Sequence, residues 1–343
     1  MKKRSLLSFF IIAILILSVA LTGCSQNAQA PAPKDEPAAS GNGDAKEFPH
    51  DKLTVVIPYK AGGTNDRQAR ALAPYIEQTL GVPIEIENRP GGGTTVAYHS
   101  HKDKDPADGS YVVFGHHTAF SKAVVAGEYK YEEFDPLGSM STGHPVLMIN
   151  PKHNDIKDFK EFLELVKANP DEYSQPVGAG WSAVFDIVLN ENGLKTRAIP
   201  VDGGSDDRVM FMAGDVDYYV SDIESNVAIL DPSDYRVLAV LSEVSPYGDQ
   251  FAVANDVMKE LGYTTFPNMA TPRYFQAKSE FKDEYPLRFE YLSEKLMEAT
   301  EKPDFVKLMK EAGYVIDAQP PAEVESIFYD YYQSVLKYKD AFQ

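Results

Sequence analysis

Five times along this chain an apolar, strand-like run ends in a loop of glycine and polar residues. "KAGGTND" follows the first such run, "NRPGGGTT" the second and "GHHTAF" the third; "VGAGWS" and "DGGSDD" close two more. Helical apolar spacing resumes after most of them, as in "TNDRQARALAPYIEQTL" after "LTVVIPY". Strands that alternate with helices in this way imply mostly parallel sheets covered on both faces. In open sheets of that kind a ligand sits beyond the carboxyl ends of the strands. All five loops fall at such ends, so they point to one shared purpose.

A chain of 343 residues is long enough for two domains. The spacing predicts one α/β lobe over residues 51–143, completed by the mainly helical 271–343, and a second over 144–270. In the second lobe "PVLMINP" is read as a strand, followed by the amphipathic "IKDFKEFLELVKANPDEY", which stops at Asn169 and Pro170. The helix beginning at Pro321, Ala322 and Glu323 carries a Tyr and Phe stripe at helical period, which reads as packing. No internal repeat is visible.

The segment before residue 51 has its own logic. "MKKRS" followed by "LLSFFIIAILILSVAL" is a basic n-region and an apolar h-region, the pattern of an export signal. It ends in "LTGC", an arrangement that resembles a bacterial lipoprotein cleavage and lipidation box, with Cys24 as the only cysteine and expected lipid attachment site. The competing reading is a plain transmembrane anchor. Residues 25–50, rich in Ala, Pro, Ser, Gly and Asn, read as a flexible tether. An exported, lipid-anchored protein without disulfides is expected, held together by its core alone.

Charge then excludes one class of partner. The net charge is −18, and −21 once Lys2, Lys3 and Arg4 leave with the signal, so nucleic acid is not expected. A small anion feels the local site and not the total. Glycine lets backbone approach a ligand closely, and the N–H groups at a helix start carry partial positive charge. The loops therefore predict a site for a small carboxylated solute, gripped by amides and by hydroxyls such as Thr64, Thr118 and Ser182. Taken singly, each glycine pair could equally be a tight turn.

Enzyme signatures are missing: no G-x-x-x-x-G-K-[ST], no G-x-S-x-G around Ser182 or Ser205, no H-E-x-x-H and no dinucleotide fingerprint. No enzyme, cofactor or metal site is expected. His99 and His101, two apart on a helix, point to different faces and do not suit a shared metal. His116 and His117 close a strand inside the presumed cleft. They read as donors to the ligand, or as a charge that appears near pH 6 to 7, or else as loop histidines in solvent. Asp66 reads as a helix cap or as a ligand-side group. Asp202, Asp206 and Asp207 could hold an ammonium or a metal ion, or stand in solvent.

From residue 53 to 340 the chain resembles the solute-binding proteins of the tripartite tricarboxylate transporters, the Bug or TctC-like family. The specific part is "VVIPYKAGGTNDRQARALAPYIEQTLGVPIEIENRPGGGTTVA". "DPADGSYVVFG", "IKDFKEFLELVKANPDEYS" and "IPVDGGSDDRVMFMAGDVD" support it. The resemblance implies an α/β, two-lobed Venus-flytrap fold with two crossover connections, closing on a carboxylate and serving membrane transporter subunits, as an expected monomer. By position it implies that Tyr59, Gly63, Thr64 and Asp66 line the cleft from the first lobe, with Gly91 and Gly92 near its mouth. His117 and Thr118 stand where the family often has small hydroxyl residues. Gly180, Trp181, Ser182, Gly203, Gly204, Ser221 and Asp222 are the second-lobe counterparts.

Two departures bear on the ligand. Trp181 replaces a small residue, and Val201-Asp202 stands where the family usually has Tyr-Lys, which removes a cation and adds an acid. Mono-, di- and tricarboxylates, amino acids and near-neutral solutes all stay open. So do two other roles: a sensor for a membrane receptor kinase, and an exported hydrolase with Ser182, His117 and Asp222 as its test set.

Overall fold

A computed structural model describes residues 48–49, 51–178, 180–201, 205–226, 230–243 and 245–336. Cys24, Asp202, Gly203 and Gly204 lie outside them. The first sheet is built by β1 (Leu53–Ile57), β2 (Ile84–Asn88), β3 (Tyr111–His116), β4 (Phe134–Gly143) and β10 (Thr271–Lys278), in the order β2-β1-β3-β10-β4. β1, between β2 and β3, is buried at every residue and apolar at all but Thr54. β2 lies at the edge and alternates Ile and Glu, so only one of its faces needs a core.

The second lobe contains β5 (Pro145–Ile149), β8 (Tyr218–Asp222) and β9 (Arg236–Val240) in the order β8-β5-β9, and a parallel pair β6 (Ser174–Val177) and β7 (Arg197–Pro200). β6 runs beside β8, where the Asp217 N–H donates to the Ser174 carbonyl at 2.9 Å. The expectation of mostly parallel sheets needs one correction per lobe. β10 is antiparallel to β3 and β4, and β5 is antiparallel to β8 and β9. The reason is topological: β5 and β10 are the strands by which the chain enters a lobe from the crossover, so they run away from the end toward which the other strands point.

The crossovers lie side by side. β4 ends at Gly143, β5 begins at Pro145 after the single residue His144, and Gly143 pairs with Thr271 at the start of β10. Helices α1 (Thr64–Leu80), α2 (Thr95–Lys104) and α3 (His117–Val125) follow β1, β2 and β3. α4 (Phe159–Ala168), α5 (Trp181–Glu191) and α6 (Ser205–Ala213) follow β5, β6 and β7. α1 turns Ala69, Leu72 and Ile76 inward and stops at Gly81, whose left-handed φ of 75° lets its N–H reach the Glu77 carbonyl at 2.8 Å.

After α7 (Ala254–Glu260) and β10 come α8 (Ser279–Glu284), α9 (Pro286–Thr300), α10 (Pro303–Glu311) and α11 (Pro321–Leu336). The aromatic stripe of α11 is packing, and it serves both lobes. Val324 and Phe328 join Tyr98, Phe120 and Tyr274 of the first lobe, while Tyr331 and Val335 join Val184 and Phe185 of the second. The end of the chain is therefore not confined to the first lobe. Among the described residues no helix is long and apolar enough to cross a membrane.

Candidate functional site

A cavity of about 820 Å³ lies where the carboxyl ends of both sets of strands meet. Its walls include the starts of α1, α3 and α5 and the turn before α2. None of these helices has a side-chain cap, so their first N–H groups are left to whatever enters.

The loop after β1 is held by a chain of polar contacts. The Asp66 carboxylate accepts from the Gly62 N–H at 2.8 Å and from Arg70 at 3.0 Å. Arg70 donates onward to Asn88 Oδ1, and Asn88 Nδ2 donates to the Tyr59 carbonyl, each at 3.0 Å. Burial works against the Asp66 charge, but Arg70 and the Gly62 amide still hold its carboxyl below the usual range. Asp66 is thus the fastener of this loop and does not line the cavity. Tyr59, Gly63 and Thr64 do.

At the next turn Gly92 has φ 57°, and a Cβ there would meet the Thr95 hydroxyl at 2.2 Å, so only glycine fits. Gly91 and Gly92 line the cavity together with Thr94 and Thr95.

Of the adjacent histidines it is His116 that faces the cavity. Its Nδ1 lies 2.7 Å from Thr118 Oγ1 and its Nε2 3.0 Å from Thr271 Oγ1, while its ring meets Trp181 edge-on at 4.4 Å. His117 points the other way. It is fully buried, stacks on Phe328 at 3.7 Å and donates from Nε2 to the Phe328 carbonyl at 3.1 Å. Burial drives the His117 pKa down to about 3, and burial together with Arg273 drives that of His116 well below the ordinary value. Both rings are neutral near pH 7, which corrects both the reading of a charge that appears there and that of a histidine in solvent.

From the second lobe come Gly180, Trp181, Ser182, Ser221 and Asp222, all of which line the cavity. Gly180 has φ 128° and approaches the first lobe so closely that a Cβ would lie 3.1 Å from Thr118 Oγ1. Trp181 donates from Nε1 to the Met269 carbonyl at 2.7 Å, which fixes its indole against the returning crossover. Asp222 is bound by a buried Arg273 at 2.6 Å, an ion pair joining β8 of one lobe to β10 of the other.

Several cavity residues carried no warning in the motifs. Lys122 sits on α3 one turn after Thr118, a spacing that could have revealed it, and burial lowers its pKa. Lys60 reaches across to Asp206 at 3.1 Å. Asp207 and Arg208 line the wall from α6. The hydrolase test set does not assemble. Ser182 Oγ accepts from the Gly178 N–H at 3.2 Å, His117 bonds to Phe328, and Asp222 to Arg273. Among the described residues no group of three or more His, Cys, Asp or Glu could hold a metal ion.

The fold and the cleft define a two-lobed α/β solute-binding protein of the periplasmic-binding-protein class. MatC from Rhodopseudomonas palustris, solved with bound malate, superposes with a TM-score of 0.70 at 21% identity, over 86% of this chain and 100% of that one. The periplasmic binding protein BugD superposes at 0.69 with 22% identity, over 86% and 97%. In sequence, a UPF0065 protein of Bordetella pertussis is 26% identical over 209 residues, 59% of this chain and 64% of that protein, just under two thirds of its length. Residues 68–323 match the tripartite tricarboxylate transporter family receptor, TctC. The chain belongs to that family, whose members bind solutes and are not enzymes.

Proposed function

We propose that this protein is exported, anchored to a membrane through a lipid on Cys24, and captures a small carboxylated solute for delivery to the membrane subunits of a tripartite transporter. The observation that carries the capture step is the convergence of uncapped helix N-termini from both lobes on one cavity. Tyr59, Gly63, Thr64, Gly91, Gly92, Thr118, Gly180, Trp181, Ser182, Ser221 and Asp222 form the wall that meets the ligand, joined by His116 and Lys122. Gly203 and Gly204 belong to the same set by position in the sequence. The malate carried by MatC supports a carboxylate as the guest.

Closure is a hinge motion about the paired crossovers near His144 and Ala270. The Arg273–Asp222 pair sits at that hinge, and the Lys60–Asp206 pair spans the cleft. Calorimetric titration and thermal-shift screening of the full chain in mild detergent against organic acids test the reading. A carboxylate that raises the melting temperature in a concentration-dependent way is expected. If no mono-, di- or tricarboxylate or amino acid does so, the carboxylate reading fails. Anchoring is tested separately by metabolic labelling with a radioactive fatty acid, which Cys24→Ala must abolish.

A further inference from the structure

The identity of the guest can be narrowed, on the footing that the cleft is a carboxylate site. Its wall is polarised. The first lobe contributes Lys60, Lys122, the amides of α1 and α3 and one acid, Glu128, which lies 3.4 Å from His99 Nε2; the second contributes Asp207, Asp222 and Arg208. Several of these charges are already answered within the protein: Lys60 meets Asp206 at 3.1 Å, and Asp222 meets Arg273 at 2.6 Å.

Asp207 is different. Its carboxyl lines the cavity, and its Oδ1 has no hydrogen-bond partner among the described residues. Burial pushes its carboxyl up to about 7, Asp206 adds to this, and neighbouring Arg208 only partly offsets it. An acceptor left without a donor is costly, and one on a cavity wall can be satisfied by a ligand, a water or an ion. A second carboxylate on the guest would make matters worse, because like charges repel most where water is excluded.

We propose that Asp207 is a specificity residue that accepts a hydrogen bond from an ammonium group of the ligand. The cleft thereby selects an amino-carboxylate, its carboxylate toward Lys122 and the first-lobe amides, over a di- or tricarboxylate of matching length. The residue acts by binding alone and no bond is made or broken.

The test is calorimetric titration of the full chain in mild detergent with matched sets: alanine, propionate and malonate; 4-aminobutyrate, butyrate and succinate. In the wild type at least one amino-carboxylate is expected to bind about tenfold or more tighter than its matched dicarboxylate, the size of one charge-assisted hydrogen bond. D207N should cut binding of that amino-carboxylate by about tenfold while leaving the dicarboxylate unchanged or improved. D207S repeats the measurement should the amide variant melt early.

A dicarboxylate that wins in the wild type overturns the proposal, as does a uniform loss for every ligand in both variants. If no compound in either set binds the wild type and the wider acid screen also fails, the carboxylate reading itself falls, and this inference with it.

Discussion

The two walls of the cleft solve the same problem by different means. The first lobe spends its polar side chains on itself. Asp66, Arg70 and Asn88 tie the first loop, and His116 bridges Thr118 and Thr271, so that beside Lys60, Lys122 and Glu128 it is backbone amide and hydroxyl that face the cavity. The second lobe presents side chains: the indole of Trp181, the carboxyl of Asp207 and the guanidinium of Arg208. Backbone amides grip any carboxylate, whereas side chains distinguish what is attached to it. On the proposed reading, capture and selection are divided between the lobes.

The strongest way to break that division is to cut the link that holds the walls in register. Arg273 reaches from β10 to a buried Asp222, and Glu224 lies behind, its carboxyl pushed up to about 7 by burial first and by Asp222 second. Arg273→Met leaves Asp222 uncompensated and should cost about 3–5 kcal/mol in urea unfolding. A loss below about 1 kcal/mol would show that the hinge pair does not join the lobes energetically.

The second test addresses what supports the first-lobe wall from behind. His117 has a folded pKa of about 3, below its ordinary value, so the unfolded chain takes the proton first. Its contribution is complete above about pH 6.5 and is lost as pH falls toward 3, roughly 3 kcal/mol by pH 4. His117→Leu should flatten the stability profile between those limits by close to one proton. Parallel profiles for variant and wild type would mean that the ring titrates alike in the folded and the unfolded chain.

Asp66→Ala sharpens the comparison on the binding side. Freeing the Gly62 amide and Arg70 should cost about 1–2 kcal/mol of stability, as losses of helix-terminal side-chain bonds do. It should also weaken every carboxylate alike, because the loop that aims the amides is loosened. Selective loss of one ligand class in calorimetry would contradict the assignment of general grip to this lobe.

The smallest effect belongs to the rim. Lys60 and Asp206 are about half exposed, so Lys60→Ala should alter stability by about 1 kcal/mol or less. Any change in ligand affinity should shrink in high salt. A large, salt-independent loss would place Lys60 on the ligand itself.

Much of the fold was legible because its signals are local. Continuous apolar runs announced the buried strands, glycine-containing loops marked their carboxyl ends, and the first-lobe loops "KAGGTND" and "NRPGGGTT" do line one cavity with "VGAGWS". The pair His116 and His117 shows where such reading stops. At a strand-to-helix junction successive side chains point to opposite sides, so an offset of one residue exchanges a cleft residue for a core residue. The reversed strands β5 and β10 were hidden for another reason: periodicity reports that a strand is buried and says nothing of its direction.

The order of strands and helices, the cleft at the strands' carboxyl ends and the amide-rich loops follow from patterns a few residues long, because backbone preferences and apolar spacing act over that range. Only the tertiary structure decided which charges meet. Asp222 finds Arg273 across 51 residues and Lys60 finds Asp206 across 146, while Oδ1 of Asp207 finds no donor among the described residues. Pairing depends on where two lobes bring distant side chains together, and Coulomb energy in a buried site depends on that distance and on the exclusion of water, neither of which is written in a local stretch of sequence.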